Sequence, residues 1–219
     1  MNTRITPLEA PFEEETAEIL AAMMPPGAPP IALFRTFAKN LPMAKAMRRW
    51  GSYELSRDLS LSMRQREIVI DRVTALCGCE YEWGVHVAFF AERVGFTREQ
   101  VTSLTHGDGT DPCWTEEVDR ALIQFVDALH EAANANDSQW ESLARHLNEQ
   151  QMLDVCMLAG WYHAISYAAN ASRVPFEMVR LDLMTIDSQR RSSDACTCIS
   201  GTNGPCLGGS GNTKAGGAT

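Results

Sequence analysis

The sequence predicts an all-α protein. Three observations predict it. Apolar residues recur at helical spacing along most of the chain, capping residues stand where helices would begin, and no useful stretch alternates apolar and polar as a strand would. Hydrophobic residues make up 45% of the 219, enough for one core of ordinary size. One main domain with end segments is therefore expected.

The elements follow in order. Residues 12–24 are acidic and then apolar, a first helix closed by Pro25-Pro26-Gly27. Residues 31–40 predict a short helix stopped near Pro42, and 43–55 another. Ser60 or Ser62 caps the next, which runs to about Leu76 with Val69, Val73 and Leu76 on one face. Gly78 breaks that pattern, and a new helix begins near Cys79. Glu80 and Glu82 fall in its first turn, where acids suit the positive end of the helix dipole. Trp83, Val87, Phe90 and Val94 form its apolar stripe, and Gly95 ends it.

Thr97 followed by Gln100 is a capping-box pattern for a short helix to Leu104. A Gly/Asp loop spans 106–112, and Leu122, Phe125, Val126 and Leu129 then mark a long helix. A helix over 137–147 follows, opened by an Asp or Ser cap. The segment from Asn148 to about Ser172 is the most apolar, which places it centrally or at a subunit contact. Residues 176–187 read as a last helix. From about Ser192 the chain is rich in Gly, Ser, Thr and Cys, and buries too little to offset chain entropy, so disorder is expected there. The division is an N-terminal helix and linker (1–30), a main helical domain (31–187) and a tail (188–219).

Composition narrows the partners. Lys and Arg total 19 against 28 Asp and Glu, a net charge of −9, with no basic run. A phosphate-binding footprint needs clustered cations, so nucleic acid is not expected. No apolar stretch approaches the roughly 20 residues that span a bilayer. Residues 1–12 lack the order of a secretion signal, and seven cysteines in two groups do not form a secreted disulfide framework. The expected location is cytoplasmic. No Gly-rich phosphate loop and no metal-ligand spacing stand in the main domain, so neither cofactor nor metal is expected.

Chemistry-bearing residues gather at one place. Positions three or four apart share a helix face, so Cys79, Glu82 and His86 line one edge. A thiolate is favoured at a helix N-terminus, which predicts a lowered pKa for Cys79. His86 exchanges a proton near neutral pH, and Glu82 one turn away orients its ring. Glu67, on the preceding helix, folds back toward the same point. Trp83 is either a pocket wall or plain core. Tyr162, on the apolar helix, either points into the pocket or packs with its hydroxyl satisfied. The spacing alone equally fits a surface or satisfied core pair. Elsewhere, His130 is expected to bond to Asp127, His163 to lie on the apolar helix, Cys113 and Cys156 to be ordinary thiols, and Trp50, Trp114 and Trp140 to be packing.

The strings Leu61-Ser62-Met63-Arg64-Gln65-Arg66-Glu67 and Cys79-Glu80-Tyr81-Glu82-Trp83-Gly84-Val85-His86 resemble the carboxymuconolactone decarboxylase family and its AhpD-like branch. Asp127-Ala128-Leu129-His130, Trp140 and Gly160-Trp161-Tyr162 look like that family's later helices, so the resemblance covers about 31–177. It implies an AhpD-like helical bundle assembled as a trimer or hexamer. AhpD-like peroxidases carry a Cys-x-x-Cys pair, an upstream Glu and a downstream His. Glu67, Cys79 and His86 match, while Glu82 stands at the second Cys, leaving Cys77 as a substitute thiol. The decarboxylase branch uses acids and a His, which Glu80, Glu82 and His86 match.

The resemblance thus implies an acid/base decarboxylase, or a lactone-type lyase or isomerase, on a small organic acid. His86 would be the acid/base and Glu82 its orienter. Cys79 and Glu67 would be polar pocket members, and Glu80, Trp83 and Tyr162 would line the substrate. A thiol peroxidase of peroxiredoxin type using Cys79 is the first alternative. A carrier or precursor is the second, with Cys196, Cys198 and Cys206 modified or binding metal, or the tail inert.

Overall fold

The computed structural model describes residues 2–176. The tail at 188–219 and, apart from Phe176, the last expected helix lie outside the described residues. Within them the chain is helical throughout: α1 (Glu14–Ala22), α2 (Ala32–Phe37), α3 (Leu41–Glu54), α4 (Met63–Leu76), α5 (Glu80–Phe90), α6 (Arg98–His106), α7 (Glu117–Ala132), α8 (Asp137–Ala144) and α9 (Glu149–Ser172). No strand occurs among the described residues.

Local chemistry sets most boundaries. Ser62 and Gln65 close a reciprocal capping box on α4, and Thr97 and Gln100 do the same on α6. Pro42 departs from expectation. It stands in the first turn of α3, where its missing N–H costs nothing, while Asn40 caps that helix by accepting from the Met43 N–H. The α8 cap is Asn136 rather than Asp or Ser, again in a capping box. Helix α5 stops at Phe90, and Gly95 closes the following turn at φ 69°.

Helix α4 is the hub. It packs against α5, α6, α7 and α9, and every residue from Arg66 to Thr74 is buried. Its apolar members Ile68, Val69, Ile70 and Val73 meet Leu122, Ile123, Phe125 and Val126 of α7 and Val155 and Leu158 of α9 in one core. Each such side chain contributes about 1.5–3 kcal/mol on burial. A helix enclosed on all sides also buries its charged residues, and these are stable only when paired. Arg66, Glu67 and Arg72 are accordingly all in ion pairs.

Helix α9 is central on one side only. Met152, Val155, Leu158, Tyr162 and Ile165 enter the core, while Leu153, Met157 and Tyr167 are exposed. No helix among the described residues is long and apolar enough to cross a membrane.

The loop before α7 crosses that helix closely at Gly109. A Cβ there would stand 2.8 Å from the Arg120 carbonyl oxygen and 3.3 Å from Gln124 Cγ. A backbone atom cannot yield as a side chain can. Gly109→Ala is expected to destabilise by about 1–3 kcal/mol, the usual cost of overpacking, read as a lower urea midpoint with unchanged slope.

Candidate active site

The corner between α4 and α5 builds the site. Cys77 ends α4, and Gly78 follows at φ 59°, a conformation that residues with a Cβ rarely adopt. The Cys79 N–H returns to the Thr74 carbonyl at 2.8 Å, and Cys79 becomes the N-cap of α5. This reversal lays Glu82 and His86 of α5 against Glu67 of α4.

His86 is held from both ring nitrogens. Its Nδ1 lies 2.8 Å from Glu67 Oε2 and its Nε2 3.0 Å from the Tyr162 hydroxyl. Glu82 Oε1 stands 3.7 Å from the same Nε2. The other Glu67 oxygen accepts from Arg66 Nε at 2.7 Å and lies 2.6 Å from Arg66 Nη2 in the same ion pair. Tyr162 meets the imidazole edge-on at 5.1 Å, and Arg66 lies 5.0 Å over the Phe90 ring. Glu67, Glu82, His86 and Tyr162 are all buried, His86 being 4% exposed.

Burial on its own would lower the His86 pKa. The Glu67 charge and hydrogen bond, joined by Glu82, outweigh it and raise the value to about 10. His86 is therefore an imidazolium at neutral pH. Its Nδ1–H donates to Glu67, and its Nε2–H points to the Tyr162 oxygen and toward Glu82. Asp71, one turn along α4 from Glu67, is pushed well above the carboxylate range by burial and then by the Glu67 charge, with His86 opposing. Burial first, then Glu82 and Glu67, keep Tyr162 a neutral phenol. Two cations, Arg66 and His86, thus face two anions, Glu67 and Glu82.

These shifts set the pH dependence of stability. His86 is raised above its ordinary 6.5, so its contribution is complete below that pH and is lost as pH climbs through about 10. Glu54 is raised by burial to about 7, with a Trp50 hydrogen bond opposing. A carboxyl raised in the folded state likewise removes stability as pH rises, here from 4.5 to about 7. Thermal midpoints are expected to fall as pH rises, with Asp71 and Cys79 adding to the loss. Glu54→Gln should reduce the fall between 4.5 and about 7, and His86→Gln the fall toward about 10.

The thiols behave otherwise than their position suggests. Cys79 does cap α5, but it is wholly buried, and desolvation raises its pKa to about 11. The Glu82 N–H and the Ser166 hydroxyl pull it down, the Glu82 carboxylate pushes it up, and burial prevails. The lowered pKa expected from the helix dipole is thereby corrected. Cys77 is half-buried and also raised by burial, with Ser166 opposing. Ser166 of α9 therefore lies beside both free thiols.

Other expectations need adjustment. The carboxylate that orients His86 is Glu67, not Glu82, because only Glu67 is within hydrogen-bonding distance of a ring nitrogen. Glu80 is half-buried and makes none of these contacts. Trp83 is fully buried core. The Trp83 indole N–H, Glu82 Oε2 and both Asp71 oxygens have no hydrogen-bond partner among the described residues. Buried polar atoms are nearly always satisfied, so these groups are exceptions inside the bundle.

A second cluster was not foreseen. His130 does not bond to Asp127, which is held by Arg72 at 2.6 and 3.1 Å. Instead its Nδ1 lies 2.9 Å from Nε2 of His163, whose Nδ1–H donates to the Ala159 carbonyl at 2.8 Å. The Cys77 Sγ completes the group, and the three ligand atoms lie within 4.8 Å of one another. Three side chains of metal-ligand type thus meet in the main domain, though no sequence spacing joins them. Beside it opens a cleft of about 510 Å3 lined by Phe125, His130, Trp140, Cys156, His163 and Tyr167. Cys156 and Trp140 are thus cleft residues rather than plain packing.

Residues 42–127 match the model of the carboxymuconolactone decarboxylase family. No curated protein matches the chain by sequence. Among solved structures, a cysteine-to-alanine variant of the debrominase Bmp8 in complex with 2,3,4-tribromopyrrole is similar at TM-score 0.67 and 17% identity, over 86% of this chain and 98% of that one. A putative antioxidant defence protein AhpD from Agrobacterium tumefaciens is similar at TM-score 0.58 and 22% identity, over 65% of this chain and 96% of that one. A peroxidase-related protein from Silicibacter sp. TM1040 reaches TM-score 0.68 at 17% identity, over 80% and 93%. At these identities the likeness is one of fold.

Proposed function

We propose that this chain, a carboxymuconolactone decarboxylase family member through residues 42–127, is an acid/base enzyme for a small organic acid or lactone. His86 is the general acid. The observation that carries this reading is the buried Glu67–His86 ion pair, whose second ring nitrogen presents its proton to Tyr162 and Glu82. A charged imidazole fixed by a carboxylate is a proton donor already in place.

For a β-keto acid the balance is simple. The carbon–carbon bond to the carboxylate breaks, carbon dioxide leaves, and the electron pair develops as an enolate. The His86 Nε2 proton is delivered to the enolate carbon, and the imidazole recovers a proton from solvent. Tyr162 gives up its hydrogen bond to let the substrate reach Nε2. The unmet Glu82 Oε2, on the carboxylate beside His86 Nε2, supplies an acceptor for a polar hydrogen of the substrate. Binding of a small ring by a debrominase of the same fold is in keeping with a small substrate.

The test is turnover of a panel of lactones and β-keto acids by the native chain and by His86→Ala. Loss of turnover by about 10²–10⁴-fold, the range of acid/base catalysis, is expected. Unchanged turnover overturns the assignment.

A thiol peroxidase is the second reading, favoured by Ser166 standing beside both Cys77 and Cys79. Its product would be a Cys77–Cys79 disulfide after one equivalent of peroxide, two thiols giving up two electrons and peroxide leaving as water and alcohol. Thiols that stay reduced by mass spectrometry would exclude it. The exposed Leu153, Met157 and Tyr167 on α9 support assembly of identical chains, which light scattering tests directly.

A further inference from the structure

We propose that Cys77, His130 and His163 form a binding site for a zinc-class divalent cation, separate from the Glu67–His86 centre and open to the neighbouring cleft. The three side chains come from the end of α4, the last turn of α7 and the middle of α9. Their ligand atoms lie within 4.8 Å of one another, and the two histidine nitrogens face each other at 2.9 Å. A tetrahedral ion with Zn–N of about 2.0–2.1 Å and Zn–S of about 2.3 Å needs ligand separations of roughly 3.3 Å (N to N) and 3.6 Å (N to S). The histidines need to part by a few tenths of an ångström, and the thiol to approach by up to about an ångström, within the reach of a rotamer change.

The surrounding structure is prepared for a ligand role. A metal-bound histidine characteristically donates its other ring N–H to a carbonyl or carboxylate, which fixes the tautomer. His163 does so, giving Nδ1–H to the Ala159 carbonyl and leaving the Nε2 lone pair free toward His130. The Cys77 backbone is anchored across helices, because Asn170 Nδ2 donates to its carbonyl at 2.9 Å. The proton balance is definite. His130 moves its proton from Nδ1 to Nε2, Cys77 releases its thiol proton as a thiolate ligand forms, and one proton leaves per ion bound.

The donor set selects the metal class. One thiolate and two imidazoles suit late first-row divalent ions and disfavour magnesium and calcium, which prefer oxygen. Three protein ligands leave a fourth position, and His130 and His163 both line the cleft of about 510 Å3. Three ligands plus an open position is the arrangement of catalytic rather than structural zinc. Water or an anionic ligand would fill it.

Cobalt(II) reads the site directly, because a thiolate–cobalt bond gives a near-ultraviolet charge-transfer band and tetrahedral coordination gives intense visible bands. The full-length chain is used with Cys196, Cys198 and Cys206 replaced by Ser, so that those thiols cannot contribute. One Co2+ per chain with both bands, one proton released and displacement by Zn2+ is the expected result. Cys77→Ser should abolish the charge-transfer band. His163→Asn should weaken binding by more than the roughly 100-fold that loss of an outer partner costs. His86→Gln, in the other centre, should leave binding unchanged. Circular dichroism verifies that each variant is folded. No cobalt binding, an octahedral spectrum without thiolate, or binding indifferent to His163→Asn would each overturn the site.

Discussion

Glu67→Gln should cost about 3–5 kcal/mol of stability, the usual toll of removing one partner from a buried ion pair. It should also lower turnover at His86 by about 10²–10⁴-fold. The reason is that Glu67 serves two cations. One oxygen takes Arg66 and the other takes His86 Nδ1, all three side chains being sealed from water. With a neutral amide in its place, only the more distant Glu82 still opposes burial at His86, and burial lowers a histidine pKa. His86 then holds its proton far less firmly at neutral pH.

Histidine C–H chemical shifts followed against pH measure this separately from activity. The native His86 should titrate near 10, and in Glu67→Gln it should titrate several units lower. Glu82→Gln provides the contrast. Its oxygen is 3.7 Å from Nε2, beyond hydrogen-bonding distance, so its effect on the titration should be distinctly smaller. A His86 that still titrates far above the ordinary range in Glu67→Gln would falsify the assigned pairing.

What the sequence reveals about this site divides along a physical line. Interactions within a few residues are legible. The capping boxes at Ser62 and Thr97, the acids in the first turn of α5 and the Gly78 break all follow from local chemistry, and the structure has them. The shared edge of Glu82 and His86 follows from helical periodicity in the same way. Pro42 shows the limit of local rules, since a proline fits the beginning of a helix as well as the end of one, and Asn40 decides which.

Properties that depend on enclosure are not legible. The dipole argument for Cys79 is sound for an exposed helix end, but the packing that buries this thiol comes from other helices and reverses the sign. The preference of His86 for Glu67 over Glu82 depends on how α5 folds back on α4. His130 and His163 stand 33 residues apart on α7 and α9, with Cys77 on a third helix, so no sequence spacing signals their meeting. The nearest hint was Asp127, three residues before His130, and it proved misleading because Arg72 claims that carboxylate first.

Arg72 therefore carries the other large expected effect. Its guanidinium lies inside the bundle and makes four hydrogen bonds. Two go to the Asp127 carboxylate, one to the Leu104 carbonyl at 3.0 Å and one to the Gly107 carbonyl at 2.9 Å. The last two acceptors close the C-terminal end of α6, where a cation also meets the negative end of the helix dipole. One side chain thus joins α4, α6 and α7. Arg72→Met leaves those acceptors and a largely buried carboxylate unmatched, at an expected cost of about 3–5 kcal/mol. For a chain of this size that is a fall in melting temperature of about 6–20 °C.

Arg72→Lys should recover only a minor part, because an ammonium cannot reproduce the planar fork that meets both Asp127 oxygens. The double variant Arg72→Met, Asp127→Leu should be more stable than Arg72→Met alone, since a buried pair replaced on both sides leaves no uncompensated charge. A double-mutant cycle on the two positions should then show a coupling of about 1–3 kcal/mol. Strictly additive losses would mean that the carbonyl contacts to the end of α6, rather than the ion pair to α7, carry the stabilisation by Arg72. In that case Asp127→Asn would leave the neighbouring His130 in place, and cobalt binding at the Cys77–His130–His163 cluster would be unaffected by it.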